Sequence, residues 1–228
     1  MIVQIEVAHR LFTTAIGFGA AALLARQCRK PTWLPGRLLA RQMNVSHRRL
    51  TEWGLSHVRV GERFTILDVG CGGGKTVDRL ASAAQEGAVY GIDYSPASVA
   101  TARRTNAARI ASGRVDVRLG TVSALPFDAD MFDLVTAVET HYYWPDLSAD
   151  VREIRRVLRP GGTLAIVAET YRGRRMDWLY RPVMGLLRAT YLTPAEHRAL
   201  LTGAGYTDVE IFEEKANGWI CAVGRKPS

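Results

Sequence analysis

The run Asp68-Val69-Gly70-Cys71-Gly72-Gly73-Gly74 places an acid at the end of an apolar stretch and four glycines directly after it. Glycines at 70, 72 and 74 lack the Cβ atoms that would hold a ligand away from the backbone, so the run suits the close approach of a small molecule. A strand-to-helix turn by itself needs only one or two of them. Further along, Asp93 closes the apolar run Tyr90-Gly91-Ile92, where a carboxylate can accept hydrogen bonds from both hydroxyls of a ribose. Glu139-Thr140-His141-Tyr142-Tyr143-Trp144 then brings together a carboxylate, two phenols and an imidazole that titrates near neutral pH.

Three nucleotide chemistries compete for the glycine run. A phosphate-cradling loop needs Gly, four residues, then Gly-Lys-Ser/Thr; Gly74-Lys75-Thr76 supplies the end, but Val69 stands where the first glycine belongs. A dinucleotide site needs G-x-G-x-x-G, and after Gly70 and Gly72 the third place is Lys75. The remaining pattern, Asp-x-Gly-x-Gly-x-Gly, admits the backbone close to a ligand without phosphate and fits S-adenosylmethionine. Ser95 and Pro96 supply an N-cap and a first helical residue, so capping does not call for Asp93.

These residues need a frame, and the chain from Arg63 onward alternates short apolar runs with Ala/Arg-rich stretches. Strands are expected at Phe64–Val69, Ala88–Ile92, Val115–Leu119, Phe132–Val138 and Thr163–Ala168, with a closing pair at Asp208–Phe212 and Gly218–Val223 around an Asn217-Gly218 turn. Helices are expected at Thr76–Ala84, Ala97–Ala111, Leu147–Leu158, Arg174–Ala189 and Thr193–Ala204. The βαβα order predicts an α/β fold: a Rossmann-like three-layer sandwich whose seven-stranded sheet is mostly parallel with the last strand antiparallel. Residues 1–60 lack strand alternation and read as a helical extension or lid packed on the core. Residues 61–228 read as the ligand-binding domain, with a helical insert at about 171–191.

In this order and spacing, Ile66 to Gly74, Gly91 to Pro96, Leu125-Pro126-Phe127, Phe132-Asp133-Leu134-Val135 and Arg156-Val157-Leu158-Arg159-Pro160-Gly161-Gly162 resemble the class I S-adenosylmethionine-dependent methyltransferases, specifically the small-molecule type with a methyltransferase-11 or UbiE-like core. The resemblance covers about Ile66 to Val167. It implies S-adenosylmethionine as methyl donor, with the methionine part on Gly70 to Gly74, the ribose on Asp93 and the adenine beside Thr121 and Val122. Asp68, Cys71, Tyr94 and Glu139 complete the candidate cofactor set. Relatives commonly carry an acid after the glycine that ends strand three, whereas here Thr121 follows Gly120. A hydroxyl in place of a charged acceptor forgoes about 1 kcal/mol.

Methyl transfer is an in-line displacement in which alignment contributes about 7–11 kcal/mol, and it needs no metal. A hydroxyl or ammonium acceptor gains from a general base, for which Glu139 and His141 are the candidates because ligands of open α/β sheets bind beyond the carboxyl ends of the strands. Ordinary packing of the following helix explains His141, Tyr142, Tyr143 and Trp144 equally well. His47, His57 and His197 show no metal-ligand spacing and read as surface or core histidines. Met176, Trp178, Tyr180 and Met184 in the insert suit an apolar or aromatic small-molecule acceptor, or simple packing.

The formal charge of +8 invites an RNA-methylating reading. The arginines are dispersed, however, and no basic run interleaves aromatics as a nucleic-acid platform would, so nucleic acid is disfavoured. A non-catalytic S-adenosylmethionine-binding protein is the other alternative. Leu11–Ala25 is apolar but shorter than the roughly 20 residues of a membrane span. Glu6 before it and Arg26-Gln27 after it do not suit a signal peptide. It reads as a buried or lid helix, with contact to a membrane surface as the competing reading. Three cysteines without C-x-x-C spacing fit a reducing, cytoplasmic compartment. The sequence assigns no oligomeric state.

Overall fold

The computed structural model describes residues 48–175 and 177–228, so the apolar segment Leu11–Ala25, most of the expected N-terminal extension and Met176 lie outside the described residues. A helix over residues 48–55 (α1) leads into β1 (Thr65–Val69), α2 (Lys75–Ala83) and β2 (Ala88–Asp93). Then come α3 (Pro96–Thr105), α4 (Ala107–Ala111), β3 (Val115–Leu119), β4 (Phe132–Val138) and a 3₁₀ turn at His141–Tyr143. The chain continues through α5 (Leu147–Val157), β5 (Leu158–Ala168), α6 (Asp177–Leu186) and α7 (Pro194–Gly203) to β6 (Thr207–Glu214) and β7 (Trp219–Arg225).

The seven strands lie in the order β3-β2-β1-β4-β5-β7-β6, with β1 to β5 parallel and β7 antiparallel to both its neighbours. Successive residues of a strand face opposite sides of a sheet, and here both sides are covered, which is why the central strands read as unbroken apolar runs. Ile66 and Leu134 pack with Val77, Leu80, Val99 and Ala102 of α2 and α3 on one face. Leu67 and Val135 pack with Val151, Ile154 and Leu201 of α5 and α7 on the other. Each of these Val, Leu and Ile side chains, fully buried, contributes about 1.5–3 kcal/mol. On the α2/α3 side the layer continues with Leu50 and Trp53 of α1 against Val167, Cys221 and Val223.

Two expected boundaries shift for identifiable reasons. The helix foreseen over Ala97–Ala111 breaks at Asn106, whose side-chain amide takes the carbonyl of Ala102 and so competes with the helical backbone. Strand β5 begins at Leu158 rather than Thr163, because Phe132 pairs with Leu158 and Gly161 donates to the Lys226 carbonyl. The insert helix is confined to Asp177–Leu186. The closing turn at Gly218 has φ 74 and a hydrogen bond from Gly218 N to the Glu214 carbonyl. Among the described residues, no helix is long and apolar enough to cross a membrane.

Candidate functional site

From β1 the chain crosses outward to β2 and β3, then returns to place β4 on the other flank of β1. Connections therefore leave the carboxyl ends of β1 and β4 in opposite directions and open a crevice there, the usual ligand position of such sheets. The glycine run follows β1 and the Glu139 run follows β4, so both chemical clusters border this crevice.

The glycine run bends over the end of β2, with Gly70 N and Cys71 N both donating to the Ile92 carbonyl at 2.8 and 3.0 Å. Gly70 and Gly74 are required by different neighbours. A Cβ on Gly70, at φ 70, would stand 2.1 Å from Thr140 Oγ1, which shows how closely the β4 loop abuts the run. One on Gly74, at φ 78, would stand 2.8 Å from the Ala102 backbone. At Gly72 a Cβ would meet nothing within 4 Å, so this residue presents open backbone.

Asp93 is 7% exposed and joins the run to the second strand: Oδ2 accepts from Gly72 N at 2.9 Å and Oδ1 from Ser95 N at 2.8 Å. Ser95 caps α3 through its own side chain, as expected, while its amide is held by Asp93. Each carboxylate oxygen has capacity beyond these bonds. Burial raises the Asp93 carboxyl, against the backbone hydrogen bonds from Ser95 and Gly72. Asp68 lies beneath the run, 2% exposed, and accepts from Thr136 Oγ1 at 2.7 Å. Burial pushes it up to about 7, with the Thr136 bond opposing and the Asp93 charge adding to the rise. Cys71 is buried, and burial followed by the charges of Asp68 and Asp93 raises its thiol well above the ordinary range, so it offers backbone rather than a nucleophile.

At the ends of β2 and β3, Tyr94 is 46% and Leu119 55% exposed, a pair of large surfaces of which the sequence singled out only Tyr94. Thr121 bridges to Ala124 and is exposed, whereas Val122 is buried with Ile92 and Leu125.

Glu139 takes the left-handed φ of 59 that ends β4. Its carboxylate accepts from Glu169 N and from the Tyr142 hydroxyl, the latter at 3.3 Å. Burial first, then the Glu169 charge, raises this carboxyl well above its usual range. Tyr142 packs with Ala168, Tyr171 and Met184, and Trp144 enters the main core, so both serve packing. His141 is fully buried, its Nε2 3.4 Å from Nε2 of His197, and burial holds its imidazole well below the ordinary range. The sequence did not join these two histidines, which are 56 positions apart. His57 stacks on Phe212 at 4.1 Å.

In the insert, Met184 is buried, Tyr180 lies under the Arg174 guanidinium at 4.4 Å, and Trp178 is 69% exposed. Sequence reasoning also missed Asn106, whose amide donates to the Gly74 carbonyl at 3.0 Å and ties the glycine run to α3. A lone Asn inside an Ala/Arg-rich helix was the available signal.

Open backbone at Gly72, a buried acid with unfilled acceptor capacity and exposed apolar surface at the ends of β2 and β3 suit a ligand with ribose, a flat base and an amino-acid tail. The residues present thus fit S-adenosylmethionine.

Residues 67–166 match the family model described as a methyltransferase domain. Over 170 residues the chain is 34% identical to the methyltransferase GfsG of Streptomyces halstedii, covering 72% of this chain and 60% of that one. It is 27% identical to the uncharacterized methyltransferase YdaC of Bacillus subtilis, covering 82% of this chain and 96% of that protein. Of several further curated relatives the chain spans 40–49% of the length. Among solved structures, the methyltransferase in complex with the Haloferax volcanii Trm112 activator is similar with a TM-score of 0.72 over 91% of this chain and 98% of that one. At 22% identity this likeness concerns the fold.

Proposed function

The chain belongs to the class I S-adenosylmethionine-dependent methyltransferases, and from that premise we propose that it methylates a small-molecule acceptor with an apolar or aromatic framework. The observation that carries the reading is the Asp93 carboxylate at the end of β2, bound to the Gly72 and Ser95 amides beside the glycine run with acceptor capacity to spare.

In this reading Gly70 to Gly74, with Asp68 beneath them, and Glu139 hold the methionine part, Asp93 the ribose, and Tyr94, Thr121 and Val122 the base. When bound, S-adenosylmethionine supplies an electrophilic methyl on a sulfonium. The chain's own contribution is alignment: Thr140 against Gly70 fixes the spacing between the cofactor loop and the β4 loop that carries Glu139 and His141. The latter two are the candidates for receiving the acceptor's proton.

A small-molecule acceptor is supported by the way the basic residues are used. Arg103 donates to the Val117 carbonyl, Arg114 to those of Ala81 and Ala84, and Arg156 to those of Leu125 and Phe127. Arginines engaged on carbonyls do not form a track for phosphates. The aromatic insert residues Trp178 and Tyr180 supply surface suited to an apolar acceptor.

Calorimetric titration of S-adenosylhomocysteine tests the cofactor site directly. Wild type should bind saturably. Asp93→Ala, losing charge-assisted bonds of about 1.5–3 kcal/mol, should bind roughly tenfold to a hundredfold more weakly. Folded wild type that does not bind would sink the reading; binding opens the way to an acceptor screen.

A further inference from the structure

His141 and His197 are 0% and 1% exposed, and for two neutral rings their hydrogen-bond geometry leaves one arrangement of protons. His197 Nδ1 lies 2.9 Å from the Thr193 carbonyl, which can only accept, so Nδ1 carries a hydrogen. Burial, the leading cause at both rings, favours the neutral imidazoles. His197 Nε2 is then bare, and the 3.4 Å contact between the two Nε2 atoms requires the hydrogen on His141. Neutral His141 with its hydrogen on Nε2 has a lone pair on Nδ1, and that atom is buried without a hydrogen-bond partner among the described residues. His141 directly follows Thr140, the residue that abuts Gly70, and comes two positions after Glu139. An unfilled acceptor is thus set in the loop beside the glycine run.

We propose that His197 is a positioning residue for His141: the relay from the Thr193 carbonyl through His197 fixes His141 as the Nε2–H tautomer and keeps Nδ1 free to take the proton of the methyl acceptor. This rests on the methyltransferase reading. The proton leaves the acceptor's hydroxyl or ammonium, its bonding pair stays on the acceptor atom, and it bonds to the Nδ1 lone pair. The Nε2 proton of His141 then moves to Nε2 of His197. Charge passes to the ring held by the Thr193 carbonyl and adjacent to Glu196, which itself pairs with Arg172. Glu196 is the carboxylate whose charge favours a protonated His197. The device is a base with a second ring behind it that sets its tautomer.

The test is imidazole nitrogen NMR on the full chain labelled with ¹⁵N-histidine at pH 7.5, with signals assigned through His141→Asn and His197→Asn. Wild type should show His197 protonated on Nδ1 and His141 on Nε2. His197→Gln keeps an acceptor near the place of Nε2 and should preserve the His141 tautomer, while His197→Leu removes it and should shift His141 toward the Nδ1–H form. Saturating S-adenosylhomocysteine should move the His141 signals and leave those of His57 in place. The proposal is overturned if wild-type His141 carries its hydrogen on Nδ1, or if His197→Leu leaves the tautomer as in wild type. It is equally overturned if bound S-adenosylhomocysteine leaves His141 unmoved. Should His197→Leu not fold, the wild-type tautomers and the Gln variant decide. Expected tautomers in a protein that shows no calorimetric binding would count against the cofactor reading while upholding the pairing.

Discussion

Asp68 makes folding stability depend on pH in a direction set by its burial. It is 2% exposed beneath the glycine run, its carboxyl raised to about 7 from 3.8, chiefly by desolvation. A carboxyl raised on folding binds its proton more tightly in the folded chain. Its contribution to stability is therefore complete below the unfolded value of 3.8 and is lost as pH climbs through the folded value of about 7. A difference of roughly 3 units at 1.36 kcal/mol per unit amounts to about 4 kcal/mol. Asp68→Asn keeps an oxygen for the Thr136 hydroxyl, now 2.7 Å away, and removes the titration. Relative to wild type, the variant should gain only about 1 kcal/mol at pH 4.5. The gain should grow by roughly 1.4 kcal/mol per unit toward pH 7 and level off at about 4 kcal/mol by pH 8. Urea unfolding of both proteins at half-unit steps measures this difference. A gain that is the same at pH 4.5 and pH 8 would refute the burial argument, since a pH-independent effect reports packing and not ionisation.

Two further substitutions probe how the site is held. Gly74→Ala forces a side chain onto φ 78 and within 2.8 Å of the Ala102 backbone, and should cost roughly 3 kcal/mol in urea unfolding from left-handed strain together with overpacking; a loss below 1 kcal/mol would show that the run and α3 can separate freely. Thr193→Ala removes the hydroxyl half of the capping box with Glu196 at the start of α7 and should cost about 1 kcal/mol, recovered in Thr193→Ser; equal stability of the Ala variant and wild type would tell against the cap.

Much of the architecture was legible because it rests on local patterns. The β4 boundaries coincide with the run Phe132–Val138, since a central strand buried on both faces needs apolar residues along most of its length, and those of the edge strand β3 with Val115–Leu119, where buried Val115 and Val117 alternate with half-buried Asp116 and Arg118. The Ser95 cap and the Thr193 capping box lie within three residues of their partners, and such spacing is visible in the chain. The tie between Asn106 and the glycine run was not legible, because the carbonyl that its amide reaches there belongs to Gly74, 32 positions away.

The sequence by itself determined the order of elements, the α/β class, the family resemblance and the placing of Asp93 and the glycines at strand ends, since each depends on residue types a few positions apart. Only the tertiary structure decided why several of those residues are needed. It set Thr140 against Gly70, Arg156 on the carbonyls of Leu125 and Phe127, Arg159 on Asp133 and His197 behind His141. These contacts join residues far apart in the chain, and the first of them forms because a switch in strand order brings the ends of β1 and β4 side by side. A hydrogen bond or a steric limit depends on ångström distances in space, which the crossing of strands fixes and the linear spacing of residues does not.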